Sequence, residues 1–95
     1  MSFEILIIDD NSDIRLILDE LITEAGYKTR MAANYNQALT EIDKKLPDVA
    51  IIDVKLDKGD NDGIELLTHI KKKNSDIPVI IISGHVNIDM AIKSL

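Results

Sequence analysis

The chain has 95 residues, and its 11 Lys+Arg against 17 Asp+Glu give a formal net charge of −6. That length predicts one domain with a single small core. The absence of cysteine excludes disulfides, thiolate metal sites and cysteine nucleophiles, and the acidic balance argues against direct nucleic-acid binding by this segment.

Hydrophobic residues make up 45% of the chain, which favours a folded domain over a disordered one. Seventeen of them are Ile, a composition suited to a sheet buried on both faces. The longest apolar runs, such as Val79 to Ile82, are far too short to span a bilayer. Met1-Ser2-Phe3-Glu4 lacks the basic and apolar regions of a signal peptide. A cytoplasmic location away from membranes is the expectation.

Taken in order, Ile5 to Ile8 reads as a buried strand that ends in Asp9-Asp10. Ile14, Ile17, Leu18, Leu21, Ile22 and Ala25 then recur with helical spacing. Asn11 is the expected N-cap, and Gly26 is placed to end that helix in the left-handed conformation. Tyr27 to Ala32 predicts a weaker strand at the sheet edge, because Lys28 and Arg30 interrupt it. Asn34 with Gln37 resembles a capping box for a second helix, which buries Ala38, Leu39, Ile42 and Leu46 and stops at Pro47.

Val49 to Ile52 is a third apolar strand, and Asp53 follows it directly. The polar stretch Lys55 to Asp62 predicts a loop. Asp62 and Glu65 form another expected capping pair for a third helix carrying Ile64, Leu67 and Ile70. Pro78 to Ile82 is the fourth and most apolar strand, ending at Ser83-Gly84. Asn87 is placed to cap a fourth helix.

Strand–helix alternation of this kind implies a doubly wound α/β fold with a parallel sheet. Ligands of open α/β sheets sit beyond the carboxyl ends of the strands. Asp9, Asp10, Asp53 and Ser83 all fall there. Carboxylates gathered at one rim repel one another. A hard cation such as Mg²⁺, which takes a few carboxylates and keeps waters and a phosphate oxygen, removes that conflict. A carboxylate so placed can also act as a nucleophile and form an aspartyl phosphate.

Four segments in this order carry a resemblance. They are Ile7-Ile8-Asp9-Asp10-Asn11, Asp48-Val49-Ala50-Ile51-Ile52-Asp53, Asp62-Gly63-Ile64-Glu65-Leu66-Leu67, and Pro78-Val79-Ile80-Ile81-Ile82-Ser83-Gly84. Together they resemble the receiver domain of two-component response regulators. The resemblance implies a flavodoxin-like sheet of order 2-1-3-4 over residues 1–95. The fifth strand and fifth helix of a receiver, with the Lys and the aromatic switch residue they carry, are absent from these residues. It makes Asp53 the phosphoacceptor, Asp9 and Asp10 Mg²⁺ ligands, Lys55 a further ligand through its backbone carbonyl, and Ser83 the hydroxyl that senses the phosphoryl group. It implies a sensor histidine kinase as donor.

The loop after Asp53 departs from the common receiver pattern. Asp57 stands where a Pro is usual, and Gly63 comes two residues late. With Ser83-Gly84-His85, this loop is similar to receivers of the nitrogen-regulation NtrX type. Those precede an ATPase module and a DNA-binding module in transcriptional activators. A receiver lacking its last strand leaves an apolar edge that invites a homodimer.

Other readings compete. A Mg²⁺-dependent phosphohydrolase with an aspartyl nucleophile wants a second acid two residues on, where Lys55 stands. A phosphorylation-independent interaction domain is the other alternative. The acidic run Asp57 to Gly63 fails the EF-hand template, which puts Lys58 and His69 at positions that need acids. Lys71-Lys72-Lys73 reads as a solvated helix end. His69 and His85 have no partner at metal-ligand spacing.

Overall fold

The computed structural model describes residues 3–54, 56 and 62–82. They form β1 (Glu4–Ile8), α1 (Ser12–Glu24), β2 (Lys28–Ala32), α2 (Tyr35–Lys44), β3 (Val49–Asp53), α3 (Asp62–Lys73) and β4 (Val79–Ile82). All strand pairs are parallel, and the order is β2-β1-β3-β4. The expected sheet order and the edge position of β2 are therefore observed. The fourth helix expected beyond Asn87 lies outside the described residues.

The register explains the core. Ile8 stands beside both Ala32 and Ile52, and Leu6 beside Ala50. Period-two alternation puts Leu6, Ile8, Ala32, Ala50 and Ile52 on one face. They pack with Ala38 and Ile42 of α2, Leu66 and Ile70 of α3, and Ile77. The winding direction reverses after β2, so right-handed crossovers place α1 on the opposite face from α2 and α3. That face carries Ile5, Ile7 and Ile51.

Local chemistry sets the helix ends. Asn11 accepts from the N–H groups of Asp13 and Ile14, which caps α1 as expected. At the other end Gly26 has φ +98°. Its N–H donates to Thr23 O at 3.0 Å, and the Tyr27 N–H donates to Ile22 O at 3.2 Å. This pair of bonds is a Schellman motif, and it needs the left-handed residue in the middle. Asn34 accepts from the Gln37 N–H at 2.8 Å, and Gln37 Oε1 accepts from the Ala33 N–H at 2.8 Å. The expected box thus forms one residue wider at its outer side.

Exposure marks α1 and β4, and one capping expectation is corrected. In α1 the apolar residues stop short of burial: the helix buries no residue, and Leu16, Ile17 and Leu21 are exposed. The most apolar strand, β4, is an edge among the described residues, as expected, and Ile80 and Ile81 are exposed. The Asp62–Glu65 capping pair is replaced by longer-range bonds. Asp62 accepts from the Leu56 N–H, and Glu65 hydrogen-bonds Tyr35 of α2.

Candidate functional site

Parallel strands end at the same rim, and the turns there are short. Asp9 follows β1 directly, and its N–H donates to Ala32 O at 3.2 Å, extending the β1–β2 pairing by one residue. Asp53 is the last residue of β3 and pairs with Ile82. The chain turns after Asp9 because its carboxylate accepts from the Asn11 N–H at 2.9 Å, an Asx turn that leads into the α1 cap. Arg15, one turn into α1, reaches back and donates to the Asp9 carbonyl at 2.6 Å. These contacts set the direction of Asp9 and Asp10.

Carboxylate oxygens of Asp9, Asp10 and Asp53 all lie within 4.8 Å of one another. Asp9 and Asp53 are each 1% exposed, whereas Asp10 faces solvent. Two buried acids beside a third make an electrostatic conflict. Burial pushes the Asp9 carboxyl up to about 6 from 3.8, with Asp53 and Asp10 adding repulsion and the Asn11 N–H opposing it. Asp9 Oδ2 is buried and receives no hydrogen bond from a described residue. A buried acceptor of this kind is costly unless satisfied. A hard cation among the three oxygens would satisfy it and offset the repulsion. The donor set therefore fits a divalent ion that prefers oxygen.

Three of the five residues picked out in the sequence are thus brought together. Lys55 and Ser83 lie outside the described residues. His69 is partly exposed and faces Asp43 of α2 at 3.3 Å. That bond and Lys73 hold the Asp43 carboxyl below its ordinary range. No second group of three potential metal ligands occurs among the described residues. Arg15 was not picked out in the sequence. Its signal is a cation one turn beyond an N-cap that follows two acids.

A family model for the response regulator receiver domain matches residues 5–95. The chain belongs to the response regulator receiver family. This receiver is 37% identical over 95 residues to the nitrogen assimilation regulatory protein NtrX of Azorhizobium caulinodans, covering all of this chain and 21% of that protein. It is 40% identical over 90 residues to the sporulation initiation phosphotransferase F of Bacillus subtilis, covering 95% of this chain and 71% of that one. A crystal structure of NtrX from Brucella abortus in complex with ADP superposes with TM-score 0.80 at 36% identity, over 99% of this chain and 21% of that one. The isolated receiver domain of that NtrX superposes at 0.76 with 37% identity, over 95% and 75%. The likeness to NtrX-type receivers holds in sequence and in fold. The chain spans about a fifth of the length of the NtrX relatives. As a receiver it is a phosphorelay signalling domain. No described helix is long and apolar enough to cross a membrane.

Proposed function

We propose that residues 1–95 act as one receiver module in which Asp53 accepts a phosphoryl group from a sensor histidine kinase. The observation that carries this reading is the convergence of Asp9, Asp10 and Asp53 within 4.8 Å at the carboxyl ends of β1 and β3. Asp9, Asp10 and Asp53 would hold Mg²⁺, which when bound offsets charge on the phosphoryl oxygens.

An Asp53 carboxylate oxygen attacks phosphorus in line with the leaving group. The new O–P bond forms as the N–P bond of phosphohistidine breaks, and the leaving imidazole takes a proton from solvent. The Asx turn and Arg15 keep Asp9 and Asp10 aimed at the same point. Strand pairing on both sides of β3 keeps the nucleophile from drifting. Rigid placement of this kind accounts for much of the rate in such transfers.

Two roles in this reading rest on the family resemblance: the Lys55 carbonyl as a metal ligand and Ser83 as the group that senses phosphorylation. The resulting change is a shift between two conformations of the domain, read by downstream modules. Relatives support an ATPase module and a DNA-binding module as those partners. A similar NtrX was crystallised with ADP, and another relative is the DNA-binding transcriptional regulator NtrC of Proteus hauseri. A cytoplasmic site of action belongs to the same reading.

Incubation with Mg²⁺ and acetyl phosphate, followed by intact-mass analysis, tests it. One phosphoryl adduct is expected on the wild-type chain and none on Asp53→Asn. An adduct that persists in Asp53→Asn overturns the assignment.

A further inference from the structure

The first two residues of α3 press on the backbone that leaves β3. Gly63 sits against it: a Cβ at this position would fall on the Asp53 carbonyl oxygen and 2.7 Å from Val54 Cα. Both of those are backbone atoms, so the clash has no flexible group to absorb it. The Gly63 N–H donates to Val54 O at 3.1 Å, and the Val54 N–H donates to Ile82 O at 2.9 Å. Asp62 is 3% exposed, and its Oδ1 accepts from the Leu56 N–H at 2.6 Å. That is a short, charge-assisted bond. The chain is therefore gripped at Val54 and again at Leu56, on both sides of the residue whose carbonyl the family resemblance gives to the metal.

A buried carboxylate is costly unless its oxygens are paired. Its place at the start of α3 offsets part of the cost through the helix dipole. Its reach explains why a carboxylate or an isosteric amide is needed there. The bond joins residues six apart, whereas an ordinary N-cap would turn inward onto its own helix.

We infer that Asp62 and Gly63 are positioning residues of the acidic site: they hold the backbone at Asp53, Val54 and Leu56 and so set the geometry in which the site binds Mg²⁺. This rests on the metal reading given above. The positioning is geometric, so it depends on where an oxygen stands at residue 62 and not on its charge. Asp62→Asn keeps an oxygen at the same place and removes the charge. Asp62→Glu keeps the charge and moves the oxygen by one methylene.

The test is Mg²⁺ titration of the 95-residue chain by calorimetry, with amide shifts of Asp53 and Val54 recorded by NMR before metal is added. Circular dichroism selects a temperature at which the variants compared are folded. Asp62→Asn is expected to keep Mg²⁺ affinity within about twofold and to leave both amides in place. Asp62→Glu and Gly63→Ala are expected to weaken affinity at least fivefold and to move both amides. Equal affinity in wild type and a folded Asp62→Glu overturns the inference. So does a fivefold loss in Asp62→Asn, which would assign the effect to charge. If the wild-type chain takes up no Mg²⁺, the metal reading falls. The amide shifts then decide the clamp by themselves: movement in Asp62→Glu without movement in Asp62→Asn upholds it, and any other pattern overturns it.

Discussion

Asp9 is the residue on which stability and metal binding oppose each other. Its carboxyl is raised to about 6 in the fold against 3.8 for the free group, so the folded domain holds this proton more tightly than the unfolded chain does. Metal-free stability from this group is fully present below about pH 4 and is lost as pH rises through about 6. At about 1.4 kcal/mol for each pKa unit, the loss amounts to roughly 3 kcal/mol at neutral pH. Asp9→Asn keeps the oxygen that accepts from the Asn11 N–H and removes the buried charge. Urea denaturation without Mg²⁺ at pH 7.5 is expected to show the variant more stable by roughly 1–3 kcal/mol, with the gap closing near pH 4. A variant no more stable than wild type at pH 7.5 would refute the conflict at this site. Mg²⁺ competes with the same proton, so affinity in the wild type should fall as pH drops below about 6. The position of this acid was legible in the sequence because an apolar run ends at it. Its place beside Asp53 followed from the strand–helix alternation, but its near-complete burial did not, because that depends on how the neighbouring strands and turns pack.

Elements were legible where one residue type has one local use. Asn11, Gly26 and Asn34 each mark a helix end by a property of their own side chain or backbone, and each appears where its chemistry predicts. Gly26 offers a clean test, because nothing stands within 4 Å of a Cβ built there. Gly26→Ala therefore meets no clash and bears only the left-handed backbone penalty, about 1 kcal/mol. Thermal or chemical unfolding should show a loss of that size with activity in phosphoryl uptake retained. A loss well above about 2 kcal/mol would mean that the Schellman turn carries packing that the open space denies. Asp62 was misread for the opposite reason. An acid at a helix start has two uses, capping its own helix or reaching a distant N–H, and sequence spacing favours the first. Gly63 likewise gives no sign in sequence that a strand's backbone lies against it.

At the scale of the whole molecule the two faces of the sheet are unequal. One face is sealed by α2 and α3, with Leu66, Ile70 and Ile42 each at most 1% exposed. The other has α1, whose Leu21 is 60% exposed. Periodicity marked all three helices as amphipathic, but it carries no information on how much of a stripe finds a partner. The contrast predicts where truncation costs stability. Ile70→Ala removes a side chain enclosed on all sides, and such changes in packed cores cost about 2–5 kcal/mol. Leu21→Ala removes one already in contact with water, so its cost should stay below about 1 kcal/mol. Denaturant midpoints at constant slope measure both. Comparable losses from the two would show that α1 is as well packed in solution as α3. A loss confined to Ile70 would place the stability of this receiver in the α2–α3 layer. That layer carries Asp62 and Gly63, so the same packing that stabilises the fold also seats the backbone of the phosphoacceptor strand.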